Sequence, residues 1–140
     1  MPRSAAVFDL CLLCDIRIAT SNAVFGHPEI KFGAPPLFTP LQWIVGAGIA
    51  RDLCLTGRRI DAAEAHRLGL VNTIADADSL LDDAKATARV IAEAPQAALE
   101  ATKRYLVSSA GVTFDEAFEV EHDRVFDQFL LGAFGPGPAT

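Results

Sequence analysis

Two carboxylates stand where carboxylates are uncommon. Asp9 interrupts the apolar run Ala5–Cys14, AAVFDLCLLC. Burial raises a carboxyl pKa unless donors or cations hold the charge. An acid in such a run is therefore either tied to backbone or a neighbouring Arg, or set up to move a proton. Glu29 follows Gly26-His27-Pro28, just past a strand-like segment. Strand ends and the loops after them commonly carry catalytic groups. Pro28 restricts the backbone before Glu29 and aims its side chain. The plain reading of Glu29 is a solvated loop glutamate. Two acids on adjacent elements form a candidate acid/base pair when their surroundings separate their pKa values.

The other chemistry-bearing motifs are weaker. Cys11-x-x-Cys14 invites a redox or zinc reading, but both intervening residues are Leu. His27, His66, His122 and Cys54 show no ligand spacing, so no metal is expected and the thiols read as buried and inert. Gly46-x-Gly48 lacks the third glycine of a dinucleotide fingerprint. There is no G-x-S-x-G elbow and no phosphate-binding Walker loop. Trp43 and the phenylalanines read as core or interface residues.

The elements that must position Asp9 and Glu29 follow from periodicity and punctuation. Ala5–Cys14 is apolar nearly all round, which predicts a buried helix. Ile16-Arg17-Ile18-Ala19 alternates like a strand. Ala23-Val24-Phe25 reads as a second strand, stopped by Gly26 and Pro28. Pro35, Pro36 and Pro40 bracket a loop. Leu41–Leu55 predicts one helix, with Gly57 as its C-cap. Asp61 stands three residues before Glu64, a capping-box spacing, and Gly69 closes that short helix. Leu70–Ile74 is extended. Ser79 and Asp82 open a helix with the stripe Leu80, Ala84, Ala88 and Ile91. Pro95 starts another, with Leu99, Thr102 and Leu106 on one face. Gly111 breaks it, and Thr113 with Glu116 caps a last helix carrying Phe114, Phe118, Val125 and Phe129. The order predicts a mixed α/β chain with little sheet for its size and a helical second half.

Composition sets the outer limits. The 140 residues are 51% hydrophobic and 21% charged, which excludes a disordered or fibrous chain. A formal charge of −6 with no basic patch argues against nucleic acid and anionic membrane surfaces as partners. Three cysteines cannot form a disulfide scaffold, so a reducing, cytoplasmic setting is expected. Arg3 followed by an apolar run mimics a signal peptide, but Asp9 breaks that run. The run is also too short to span a bilayer.

One long, ordered signature goes beyond composition. Its pieces are Phe8-Asp9-Leu10, Cys14-Asp15-Ile16-Arg17-Ile18-Ala19 and Ala23-Val24-Phe25-Gly26-His27-Pro28-Glu29. Leu55-Thr56-Gly57-Arg58-Arg59-Ile60, Asp61-Ala62-Ala63-Glu64-Ala65 and Leu68-Gly69-Leu70-Val71 continue it. In these pieces the chain resembles the enoyl-CoA hydratase/isomerase (crotonase) family. The resemblance implies part of a spiral of β-β-α turns over 1–60, a helical oligomerisation region over 61–131 and a flexible tail over 132–140. It implies hydration or double-bond isomerisation of enoyl-CoA thioesters, in metabolism of the fatty-acid β-oxidation type. CoA enters with the substrate, no separate cofactor is expected, and a homo-oligomer, trimer or hexamer, is implied.

The same resemblance assigns the residues. Glu29 falls on the family's acid after Pro, the proton donor or base, and Asp9 on the second acid, usually Glu, which orients water. Ala6 falls where a backbone N–H faces the thioester oxygen. Pro28, Gly33, Pro36 and Leu37 fall along the substrate-binding surface. Three departures stand out: Ala5-Ala6-Val7 replaces a Gly-Gly-Gly run, Pro36-Leu37-Phe38-Thr39 replaces a glycine-rich loop, and family members are nearly twice this length. The chain therefore reads as the C-terminal half of a crotonase-type sequence, with an exposed sheet edge and marginal stability. The alternative reading is an inactive fragment that self-associates or docks on full-length relatives.

Overall fold

The computed structural model describes residues 3–108 and 111–120. Two compact units divide the chain, 1–85 and 86–140. The first unit carries all four strands found among the described residues, each three residues long. Helix α1, Arg3–Leu12, comes first, and strands β1, Ile18–Thr20, and β2, Val24–Gly26, follow. A 3-10 helix, Pro28–Phe32, leads to α2, Thr39–Val45, and α3, Ala47–Thr56. Strand β3, Arg59–Asp61, helix α4, Ala62–Arg67, and strand β4, Thr73–Ala75, complete the α/β part. Helix α5, Leu80–Ala92, crosses the boundary between the units, and α6, Gln96–Ser108, and α7, Phe114–Glu119, lie in the second.

The strands pair in two ladders rather than one sheet. β1 runs parallel to β4, with Ile18 opposite Thr73 and Thr20 opposite Ala75. β2 runs antiparallel to β3, with Phe25 opposite Ile60. Arg17 reinforces the first ladder: its N–H donates to Asn72 Oδ1 at 2.8 Å and its carbonyl accepts from Asn72 N–H at 2.8 Å. The Arg17 guanidinium also donates to the carbonyls of Leu70 and Cys14. Both ladders are two-stranded, and such pairs need packing against helices to persist. That packing comes from Phe8, Leu12, Leu41, Leu53, Ile60, Leu70 and Val71, which form the buried cluster with Ala19, Ala50, Cys54 and Ala65. Burying each large side chain contributes about 1.5–3 kcal/mol.

Several sequence expectations need correction. β3 had no strand-like alternation and is a strand only because Ile60 pairs with Phe25. Leu70 and Val71 belong to the core, and the strand begins later, at Thr73. The single helix over 41–55 is two, because Gly46 adopts φ +81° and ψ 155° and turns the chain between α2 and α3. α1 is not buried all round: Phe8 and Leu12, four residues apart, face the core, whereas Val7, Leu10 and Leu13 are exposed. Cys14 is exposed and Cys11 half-buried, so only Cys54 fits the reading as a buried thiol. Trp43, Phe32 and Phe114 are exposed rather than core. α5 buries none of its residues, and α6 buries Ala101 rather than the Leu99, Thr102 and Leu106 face.

Local hydrogen bonding matches the sequence more closely. The Asp61 carboxylate accepts the Glu64 N–H at 2.8 Å and caps α4. Thr113 and Glu116 form the full reciprocal box at the start of α7. Gly57 closes α3 in the left-handed conformation at φ +59°. Val125, Phe129 and the Gly/Pro-rich tail lie outside the described residues.

Candidate active site

Three polar side chains from two elements and the connection between them meet beside α1. Phe8 turns into the core, and Asp9, one residue on, projects from the edge of that face. β2 ends at Gly26, where a Cβ would lie 2.8 Å from the Arg58 carbonyl oxygen of the neighbouring strand connection. Only glycine allows the strand to leave β3 at that spacing. His27 follows, and Pro28 occupies the first position of the 3-10 helix, where its missing N–H costs nothing. Glu29 therefore sits in the first turn, and Gly33, at φ +79°, ends the helix.

His27 is the centre of this arrangement. Its side chain is 0% exposed, against 37% for Asp9 and 18% for Glu29. His27 Nδ1 lies 3.6 Å from Asp9 Oδ1 and 3.5 Å from Glu29 Oε2. The Phe8 ring packs on the imidazole, with centroids 4.7 Å apart and planes at 51°. Phe8 also meets Phe25 at 5.9 Å, so one aromatic side chain links α1, β2 and the site. Asp9 Oδ1, Glu29 Oε2 and both His27 nitrogens are buried without a hydrogen-bond partner among the described residues. Buried polar atoms normally find partners, so a cluster of four unpartnered ones marks a site rather than a core.

The cysteine behind the site is tuned with it. Burial pushes the Cys54 thiol above its ordinary pKa, and the nearby Glu29 charge pushes it further. Cys54, on α3, therefore stays a neutral thiol within reach of the Glu29 charge. Arg58 anchors the far side of this helix. Its Nε donates to Asp52 Oδ2 at 2.7 Å, and its two terminal nitrogens reach the Glu64 carboxylate at 3.0 and 3.3 Å. These bonds, Glu64 first and Asp52 second, raise the guanidinium pKa and tie α3 to α4.

The expected site residues do not all converge. Asp9, Glu29 and Pro28 do, and a pocket of about 210 Å³ opens beside them, lined by Phe8, Val24, Phe25, Gly26, Pro28 and Arg59. Ala6 falls in the first turn of α1, the end of a helix where backbone N–H groups emerge. Gly33 caps the 3-10 helix and Pro36 and Leu37 lie in the loop before α2; none of the three lines that pocket. Sequence reasoning weighed His27 only as a metal ligand, and no group of three or more metal-ligating side chains occurs among the described residues. The signal for its role was present: a histidine directly between a strand-ending glycine and Pro-Glu.

Comparison with known proteins places the chain in a family. The enoyl-CoA hydratase/isomerase family matches residues 4–130, and the chain belongs to that family. It is 45% identical over 108 residues to a probable enoyl-CoA hydratase of Mycobacterium tuberculosis, covering 72% of this chain and 42% of the relative. The corresponding protein of Mycobacterium leprae is 42% identical over 135 residues, covering 94% of this chain and 52% of the relative. Among solved structures, a Thermobifida fusca chain assigned as an enoyl-CoA hydratase and solved in complex with CoA superposes with a TM-score of 0.81. That chain is 32% identical, and the match covers 94% of this chain and 52% of that one. The α/β fold is thus the crotonase fold, and the chain spans about half the length of the curated relatives it matches.

Proposed function

We propose that this chain carries the acid/base half of an enoyl-CoA hydratase site. The observation behind the reading is the meeting of Asp9 and Glu29 at one buried histidine nitrogen. Hydration adds the hydroxyl of one water to C3 of a trans-2-enoyl thioester and one proton to C2. Glu29, the more enclosed acid, gives one proton to C2 and takes one from the attacking water. Asp9, nearer solvent, orients the water. The thioester oxygen gathers charge as C2 is protonated, and a backbone N–H at Ala6 is the donor this chain offers it. The substrate class is an acyl-CoA thioester, consistent with the CoA held by the Thermobifida fusca relative. No further cofactor is needed for this chemistry. Double-bond migration uses the same acid/base pair, and a cytoplasmic, trimeric enzyme of fatty-acid metabolism fits the family.

The test is hydration of crotonyl-CoA by the purified protein, with Glu29→Gln as control. Turnover abolished in Glu29→Gln supports the reading. Absence of turnover from folded protein favours the second reading, a chain that works only by association. Exposed Val7, Leu10 and Leu13 on α1 and exposed Leu81, Val90 and Ile91 on α5 favour that alternative. A concentration-dependent sedimentation shift without turnover is its signature.

A further inference from the structure

We propose that His27 is a positioning residue of this site: its Nδ1 carries a proton and holds it between the Asp9 and Glu29 carboxylates, setting their separation. The inference rests on the hydratase reading for its kinetic consequence but not for its geometry. Nδ1 faces two carboxylate oxygens at 3.6 and 3.5 Å. Were Nδ1 bare, its lone pair would converge on two acceptors in a buried pocket, with no hydrogen among them. That arrangement is strongly unfavourable where the effective dielectric is low. A proton on Nδ1 replaces a third repelling acceptor with a positive pole that attracts both carboxylates. At 3.6 and 3.5 Å neither contact is a hydrogen bond, so the attraction is electrostatic and nearly equal toward the two acids. Nε2 is also buried and, among the described residues, has no partner that would draw the proton to the other side of the ring.

The ring has little freedom to do otherwise. It is fully enclosed, packed at a tilt against Phe8, and fixed in sequence between Gly26 and Pro28. Asp9 arrives from α1 and Glu29 from the 3-10 helix, and no hydrogen bond joins the two acids directly. His27 is the group that touches both. A proton so placed draws both carboxylates toward one point. It thereby holds the water-orienting and proton-transferring oxygens at a set distance while Glu29 changes protonation.

Two measurements test this. In protein with 15N-labelled histidine, the His27 ring signals are assigned by their loss in His27→Asn. A protonated Nδ1 at neutral pH is expected, and a bare Nδ1 with the proton on Nε2 overturns the proposal. Kinetics give the second arm. Leu fills the ring's volume without a donor, whereas Asn keeps an N–H near the Nδ1 position and leaves a cavity. A positioning role predicts kcat lower in His27→Leu than in His27→Asn by about tenfold or more, with similar KM, because misplacement near 1 Å costs up to about 100-fold. A merely structural role predicts activity ranked by stability, with Leu equal to or above Asn, and overturns the proposal. If the unaltered protein does not hydrate crotonyl-CoA, the functional reading fails, and the nitrogen spectrum alone decides the position of the proton.

Discussion

Gly57 passes so close to Ile30 that a Cβ on Gly57 would stand 2.8 Å from Ile30 Cγ2. The same Cβ would lie 3.0 Å from Lys31 Cε. The left-handed turn that ends α3 is therefore also the support beneath the 3-10 helix carrying Glu29. Gly57→Ala combines a left-handed alanine, about 1–2 kcal/mol, with displacement of Ile30. The urea midpoint is expected to fall, and hydration of crotonyl-CoA is expected to fall further than the midpoint alone explains. An unchanged midpoint would show that the 3-10 helix does not rest on this turn.

Cys54 reports the charge on Glu29. Burial and the Glu29 carboxylate both disfavour the thiolate, so the thiol titrates above its ordinary value of 9.0. Removing the charge in Glu29→Gln lowers the Cys54 pKa, while the part due to burial stays. With Cys11 and Cys14 replaced by Ser, the pH midpoint of Cys54 alkylation is expected to shift down in Glu29→Gln. The linkage has a definite sign. The folded thiol pKa is raised, so the stability tied to it is full below the unfolded thiol pKa. It is lost as pH rises through that value towards the folded pKa.

Arg58 joins two side chains that lysine cannot join in the same way. Its planar fork donates to Asp52 from one edge and to both Glu64 oxygens from another. Lys keeps the charge but offers one compact ammonium. Arg58→Lys is expected to lower the Tm by most of the loss seen in Arg58→Met. A lysine variant melting with the parent protein would mean that charge alone, not geometry, ties α3 to α4.

The start of α7 has its own pH dependence. The Thr113 N–H donates to Glu116 Oε2 at 2.9 Å, and the Thr113 hydroxyl donates to the same oxygen at 2.8 Å. These bonds, the backbone one first, hold the Glu116 carboxyl below its ordinary 4.5. A depressed carboxyl pKa stabilises the folded form above the unfolded value and loses that effect as pH falls through the folded one. In Thr113→Ala the backbone bond remains and the hydroxyl bond is lost. Carboxyl NMR titration is expected to show the Glu116 pKa moving up part of the way to its ordinary value. A larger rise, to the ordinary value itself, would mean that the whole box collapses without the hydroxyl.

How much of this was legible beforehand follows the range of the interactions. The caps at Asp61, Gly57 and Thr113 were readable because each is made within three or four residues of itself. β2 was readable because Gly26 and Pro28 end it locally. The acids were found partly on local grounds, a carboxylate in an apolar run and one after a strand end. The family signature then raised Asp9 and Glu29 from oddities to a pair. Gly46 misled because a glycine inside a helical pattern is tolerated in most settings, and only the packing of α2 against α3 requires the break.

What the chain order leaves open is decided at long range. Arg59-Ile60-Asp61 is a strand because β2 lies alongside it, and Thr73–Ala75 pairs with residues 55 positions earlier. Neither pairing leaves a mark in the local pattern, since a three-residue strand has no period of its own to read. The same holds for His27. Its residue type permits a metal ligand, a core ring or a bridge between acids. Only the tertiary fold, which brings α1 against the end of β2 and encloses the ring under Phe8, places one nitrogen before two carboxylates. Local hydrogen bonds and turn residues are written in adjacent letters, whereas the convergence of Asp9, His27 and Glu29 is a product of packing.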